Sequence, residues 1–210
     1  MRILQIVPLY YPHIGGVEYV VKSVAERLGR MGHDVTILAG EPEVERPREE
    51  VVGGVRVVRW PTWSPGDVYH VPRLRGELRR VLIELARWAD VIHVHSVHSI
   101  ISMYALGVVK GLGVRVVVTP YYHGTGHTLF RRLLWIPWRL YVRGLLRNTI
   151  THTVSKLEAE LVERDFGCKA VAIENGVDEL VKSFTWSPED YVMYSGRIER
   201  YKNVDLLARV

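Results

Sequence analysis

The chain has almost nothing to hold it together covalently. Cys168 is its single cysteine, so no internal disulfide can form and a disulfide-stapled scaffold is excluded. No apolar run approaches the roughly 20 residues that a membrane-spanning helix needs, so an integral membrane protein is not expected. The opening Met1-Arg2-Ile3-Leu4 is interrupted by Gln5, Pro8 and Pro12, with no small-residue cleavage site after it. It reads as a buried first strand rather than a leader, and a cytoplasmic chain is expected. Side-chain amides are scarce: Gln5 is the one glutamine, and Asn148, Asn175 and Asn203 are the only asparagines. Few thermolabile side chains is a pattern of thermophile proteins, so a high melting temperature is expected. The dinucleotide fingerprint G-x-G-x-x-G is missing, which disfavours a nicotinamide or flavin site, and so is the P-loop G-x-x-x-x-G-K-[ST]. Neither H-E-x-x-H nor C-x-x-C occurs to build a metal centre.

What is present suits a globular protein. The 210 residues are 48% hydrophobic and 24% charged, enough for a sizeable core and about one and a half domains. The net charge of +5 is mild. It fits an anionic small ligand or an anionic membrane surface as well as nucleic acid. No evenly spaced aromatic platform for single-stranded nucleic acid is visible, so no nucleic-acid partner is expected.

Apolar periodicity alternates between that of strands and that of helices. Strands are expected at residues 3–7, 35–39, 54–59, 91–95, 114–119, 149–154 and 170–173. Helices are expected at 17–31, 74–88, 99–110, 128–147 and 156–164. Residues 41–50, charged and holding two prolines, read as a solvated loop. Such alternation predicts an α/β fold, a Rossmann-like doubly wound parallel sheet with both faces covered. The segment 184–190 reads as a linker between a first domain, 1–183, and the start of a second, 191–210. That second piece should open with a strand at 191–195 and a helix near Asn203. Because that helix stops within its apolar pattern, residues 1–210 read as a fragment of a two-domain protein.

Ligands of such folds sit outside the carboxyl ends of the strands. The first strand is followed by Tyr10-Tyr11-Pro12-His13-Ile14-Gly15-Gly16-Val17-Glu18. Paired glycines at a helix start would let a phosphate approach backbone N–H groups, or simply serve a turn. His93-Val94-His95-Ser96-Val97-His98 has a spacing similar to the zinc motif H-x-H-x-D-H of metallo-β-lactamase-like hydrolases. Val97 stands where that motif has its carboxylate, so these histidines are read as cleft-lining or locally satisfied groups, and no metal is expected. Cys168 is read as packing. Thr119-Pro120-Tyr121-Tyr122-His123-Gly124 must be a loop at a strand's carboxyl end, with His123 aimed at the same crevice or holding a turn. In the helix 128–147, Arg132, Arg139, Arg143 and Arg147 form one stripe beside Trp135, Trp138, Tyr141, Val142 and Leu145. That suits a membrane interface or a helix packed on the sheet with a solvated arginine edge.

An ordered set of motifs then carries a resemblance. Gly15-Gly16-Val17-Glu18, Thr119-Pro120 with His123-Gly124, Val154-Ser155, Glu174-Asn175-Gly176-Val177-Asp178, and Ser195-Gly196-Arg197 with Lys202-Asn203 resemble glycosyltransferase family 4, retaining enzymes of the GT-B fold. The resemblance covers nearly the whole chain. It implies two Rossmann-like domains facing across a cleft, the first shaping the acceptor side and the second holding a nucleotide-diphosphate sugar. It implies that Gly15 and Gly16 lie near the donor phosphates, that His123 is the catalytic histidine beside the transferred sugar, and that Arg197 and Lys202 bind the diphosphate. Fixed cations there would stabilise the leaving group's charge in the transition state. Glu18, His95 and Tyr122 beside these loops are candidates for the acceptor cleft. The implied partners are a nucleotide-sugar donor and a sugar or lipid-linked acceptor, with no cofactor; the arginine and tryptophan pattern of helix 128–147 adds the expectation of peripheral contact at the inner membrane face. The family's E-x-x-x-x-x-x-x-E motif, which lies further into the second domain, is not reached within residues 1–210, and Asn203 replaces a common glycine, so residues 1–210 alone are expected to be inactive. The alternatives are a nucleotide-sugar epimerase of the same fold, which would want cleft carboxylates, and a non-catalytic sugar- or membrane-binding domain.

Overall fold

Alternating β-rich runs and amphipathic stretches leave each strand with two apolar faces to cover, and crossover helices supply the cover. In the computed structural model the elements are β1 (Arg2–Val7), α1 (Gly16–Arg30), β2 (Asp34–Glu41), β3 (Arg48–Val52), β4 (Val55–Trp63) and β5 (Val71–Pro72). They are followed by α2 (Arg75–Trp88), β6 (Val91–His95), α3 (Ile100–Val109), β7 (Arg115–Thr119) and α4 (Leu129–Leu146). β8 (Ile150–Thr153), α5 (Lys156–Phe166), β9 (Ala170–Ala172) and α6 (Val204–Leu207) complete the order. The structure describes residues 1–124, 129–177, 187, 189–196, 198 and 203–209, with backbone alone at 67 and 129–134.

The strands form one sheet in the order β3-β4-β2-β1-β6-β7-β8-β9, with β5 attached to β4. Pairing is parallel except where β3 and β5 run against β4. β1 lies between β2 and β6, with Ile3 opposite Val35 on one side and Val91 on the other. The strand order therefore turns back between β1 and β6, and a crevice opens at their carboxyl ends.

Residue alternation sends successive side chains to opposite faces. Leu4 and Ile6 join Ile92, Val94, Val116 and Val118 in a cluster with Leu78 and Leu82 of α2, Ile101 of α3, Val142 of α4 and Phe166 of α5. Val7, Ile37, Ala39 and Val57 pack instead with Val21 and Ala25 of α1. Those two clusters are the two covered faces of a doubly wound sheet. Helix ends follow local chemistry. Ser155 caps α5 by accepting the Glu158 N–H at 3.1 Å, and Gly167 ends it at φ +67.

In the segment 41–50 the solvated loop that the charges suggest is confined to residues 42–47. Glu41 ends β2 with 3% exposure, and residues 48–52 form β3. Gly53 and Gly54, at φ +57 and +81, make the two-residue turn into β4 that needs positive φ at both positions. The hairpin is held by cross-strand charge: Arg56 bonds Glu49 at 3.0 and 2.9 Å. Glu–Arg pairing takes the place of the apolar alternation that marks other strands.

The chain divides into two compact units, Met1–Asn175 and Gly176–Val210. Residues 191–195, expected as a strand, have no sheet partner among the described residues. A strand needs a neighbour for its N–H and C=O groups, and none is found there among the described residues of that unit. α6 does begin after Asn203.

Candidate functional site

Three loops leave the carboxyl ends of the neighbouring strands β1, β6 and β7, where the strand order turns back. The β6 and β7 exits are tied by Ser96 N–H to Thr119 O at 2.9 Å and Val97 N–H to Pro120 O at 3.0 Å. Trp138 of α4 donates its indole N–H to Val97 O at 2.9 Å, bracing the same exit from outside.

The β1 exit loop, residues 8–15, rests on a buried ionic network. Arg59 of β4, 1% exposed, donates to Glu50 Oε1 at 2.7 Å and to the carbonyls of Tyr10, at 3.2 Å, and Tyr11. Glu41 lies 3.5 Å from the same guanidinium and accepts from His13 Nε2 at 2.9 Å. A carboxylate, a guanidinium and a second carboxylate from three strands thus fix Tyr10, Tyr11 and His13. β2 also presses on this loop, since a Cβ on Gly40 would stand 2.3 Å from Pro8 O.

Gly15 has extended backbone, and a side chain there would meet only the movable carboxylate end of Glu18. Gly16, the first residue of α1, has open space where a Cβ would stand. A ligand can therefore approach the helix start at Gly16 without displacing the fold.

His95 ends β6 with 3% exposure. Its ring lies 4.0 Å from that of His93 and 6.1 Å from that of Tyr121, and neither ring nitrogen has a hydrogen-bond partner among the described residues. Burial, then the neighbouring His93 and His152, hold its pKa well below the usual imidazole value. His93 is pushed down to about 4 by burial and by His152. His93 joins an ordered chain: Nε2 to Thr119 Oγ1 at 2.7 Å, Thr119 Oγ1 to His152 Nδ1 at 2.8 Å, and His152 Nε2 to Ile173 O at 3.0 Å. The carbonyl can only accept, so His152 donates from Nε2 and, when neutral, accepts from Thr119, which in turn accepts from His93. Among the described residues no three metal-ligating side chains converge.

Tyr122 is 2% exposed, its ring stacked with Trp135 and tilted on Phe166, and its hydroxyl donates to Asp165 at 2.6 Å. Burial, then that bond, raises the phenol to about 12. Its side chain is spent on the core side of the loop. The next residue, His123, is exposed, with its ring centroid 5.0 Å from that of His98. Gly15, Gly16, His95 and His123 thus sit at neighbouring strand exits, while Arg197 and Lys202 lie outside the described residues. Three groups that matter here escaped the sequence reading: Arg59, Glu41 and Glu158. For Glu158 a signal existed in the capping pattern Ser155-x-x-Glu158. For Arg59 and Glu41 none did, because their partners are distant in sequence.

The family model described as Glycosyltransferase Family 4 matches residues 14–179. The chain belongs to glycosyltransferase family 4. Among curated relatives, this family 4 chain is 30% identical over 192 residues to a phosphatidyl-myo-inositol mannosyltransferase of Mycobacterium leprae, covering 90% of this chain and 48% of that protein. It is 27% identical to a GDP-mannose-dependent alpha-mannosyltransferase of Mycolicibacterium smegmatis, over 99% of this chain and 59% of the relative. The chain therefore spans about half the length of the curated relatives it matches. Sucrose-phosphate synthase from Thermosynechococcus elongatus superposes with a TM-score of 0.60 at 14% identity, covering 85% of this chain and 49% of that one. The catalytic domain of starch synthase IV from Arabidopsis thaliana gives 0.55 at 17% identity, over 84% and 52%. The family 4 chain shares their GT-B architecture, of which it is a part.

Proposed function

We propose that the longer protein to which this chain corresponds transfers a mannosyl unit from GDP-mannose to a lipid-linked or sugar acceptor, with retention at the anomeric carbon. The observation that carries the reading is the family match over residues 14–179, which takes in Gly15 and Gly16 at the start of α1 and runs through the β6 and β7 exit loops. The mannosyl unit follows both mannosyltransferase relatives, and GDP-mannose as donor follows the Mycolicibacterium smegmatis one. In this reading the donor phosphates approach the start of α1 at Gly15 and Gly16, where Gly16 has open space and N–H groups and the helix dipole favour negative charge, and the movable Glu18 carboxylate beside Gly15 swings aside. His123 stands beside the transferred sugar. Arg197 and Lys202 bind the diphosphate and stabilise its growing charge as the glycosidic bond breaks, so no metal cofactor is required. Glu18 and His95 border the acceptor.

The test is direct. The full-length protein with GDP-mannose and a lipid acceptor should release GDP and yield an α-mannoside. Arg197→Ala should lower kcat by roughly 100-fold, the loss typical for removing a transition-state charge partner. Turnover with another nucleotide sugar alone would change the sugar, and no turnover with any would overturn the reading. Residues 1–210 alone are expected to show no measurable transfer.

A lipid acceptor is favoured by one further observation. α4 is apolar on two sides. Trp135, Trp138, Val142 and Leu145 belong to the core or pack against it, whereas Ile136, Leu140 and Tyr141 are 49%, 60% and 47% exposed. Tyr141 thus leaves the packed face expected of it. Arg143 is exposed on α4, as is Arg147 just beyond it. No helix among the described residues is long and apolar enough to cross a membrane. Exposed apolar groups edged by arginine suit the surface of an anionic bilayer instead. Binding to phosphatidylglycerol vesicles should fall with salt and be abolished by Arg143→Glu with Arg147→Glu. Unchanged binding by that pair would remove this contact.

A further inference from the structure

We propose that two carboxylates of α5, Glu158 and Asp165, are positioning residues for His123. The inference rests on the reading of His123 as a group of the transfer site.

Glu158 is 5% exposed, and its carboxylate is fully engaged on backbone N–H groups. Oε1 accepts Tyr122 N–H at 2.7 Å and Oε2 accepts Val154 N–H at 2.9 Å. In an ordinary capping box this third-position glutamate would return to the N–H of the cap residue, Ser155. Here it reaches one residue further back and across to the β7 exit, so it bridges two strand exits. Its place in the first turn of α5 favours the negative charge. Seven residues along the same helix, Asp165 accepts the Tyr122 hydroxyl at 2.6 Å. Arg164 holds that carboxylate through two bonds, at 2.9 and 3.0 Å. Tyr122 is therefore fixed at its backbone and at its ring tip by one helix, between the rings of Trp135 and Phe166.

The consequence falls on the neighbours of Tyr122. Tyr121 is held at φ +49, a left-handed conformation that a bulky residue keeps only when its surroundings impose it. Its carbonyl accepts from His123 Nδ1 at 3.3 Å. A carbonyl cannot donate, so Nδ1 carries a proton, and the neutral ring offers Nε2 as an acceptor. The ring is steadied by His98 at 5.0 Å. Both carboxylates thus act on the residue immediately before His123, and the bend they hold sets the tautomer of the imidazole.

The experiment is a double-mutant cycle in the full-length protein. Glu158→Gln keeps the shape but sets an NH2 group against a backbone N–H. Tyr122→Phe removes one oxygen. Each is made alone and with His123→Ala, and kcat and KM for transfer are measured. Alone, each should lower kcat by about ten- to a hundredfold and leave KM within about twofold, as expected when a reacting group is misplaced. In the His123→Ala background the further loss should disappear, because residues acting as one unit are not additive. An unchanged kcat, or a full additional loss without His123, overturns the proposal. If Glu158→Gln does not fold, Tyr122→Phe carries the same cycle. The 15N shifts of the His123 ring give a readout free of catalysis. Wild type should show the Nδ1–H form and Glu158→Gln a mixture of tautomers; an unaltered pattern overturns the positioning role. Wild-type turnover by His123→Ala would instead sink the catalytic reading, while the 15N shifts still decide the positioning.

Discussion

Arg59 places a guanidinium where only 1% of it meets solvent, between Glu50, Glu41 and two backbone carbonyls of the β1 exit. Removing one partner from such a set leaves charge buried and unmatched, which costs about 3–5 kcal/mol. Arg59→Met is expected to lose about that much in urea unfolding and to loosen Tyr10 and Tyr11 together. A loss below about 1 kcal/mol would mean that water replaces the guanidinium and that the network does not hold the loop. Gly40 is a second residue on which this loop depends. Gly40→Ala puts a methyl group against Pro8 O, a backbone atom with no side chain to swing away. Destabilisation of about 1–3 kcal/mol is expected, whereas Gly16→Ala, with open space around it, should leave the fold stable. Acid sensitivity is also set residue by residue. Burial holds His93 and His98 at about 4, with His152 and His123 adding to the effect. Their unfolded value is near 6.5, so the unfolded chain binds protons that the folded chain refuses. Their contribution is whole above pH 6.5 and is lost as the pH falls through 6.5 towards 4. The thermal midpoint should therefore drop between pH 7.5 and pH 5, and an unchanged midpoint would show that these rings take up protons as readily in the native state as in the unfolded chain.

Among the elements, α5 joins stability to the site. Its cap bond from Glu158 N–H to Ser155 Oγ is 3.1 Å long, and losing such a bond typically costs about 1 kcal/mol. Ser155→Ala should lower stability by that amount with kcat nearly unchanged, since the Glu158 carboxylate keeps its two N–H partners; a kcat loss as large as that of Glu158→Gln would show that the helix start as a whole, and not the carboxylate, holds the loop. Elements differ in how far their residues announce them. The valines of β7 and the helical spacing of Val17, Val21 and Ala25 in α1 are local patterns, and local patterns survive being read without a fold. β3 is invisible to that reading because Glu49 and Glu50 find their arginines only after the Gly53-Gly54 turn closes. The crevice loops are legible by composition: clustered glycine and proline mark where a strand ends, and His123 lies between Pro120 and Gly124. Their supports are not. Tyr122 and Glu158 are 36 positions apart, and Arg59 and Tyr10 are 49 apart, so nothing near either residue in sequence names its partner. Ser155-x-x-Glu158 marks a helix start, yet the pattern does not say that the glutamate will also grip another strand's exit.

At the scale of the molecule, every strand among the described residues and both core clusters lie within Met1–Asn175. A unit with its own core and a complete sheet is expected to fold by itself. A chain ending at Asn175 should therefore unfold in one cooperative step, with near-native far-UV circular dichroism before it. Its midpoint should match that of residues 1–210 within about 3 °C, a difference below 1 kcal/mol for a domain of this size. The scarcity of glutamine and asparagine, four residues in all, argues that this midpoint lies above roughly 65 °C, beyond the mesophile cluster. The two measurements separate two ideas. A lower midpoint for the shorter chain would mean that residues beyond Asn175 stabilise the sheet, and the division into units would fail as an energetic boundary. A matched but ordinary midpoint would keep the boundary and remove the thermophile reading, leaving amide scarcity as composition without consequence for stability.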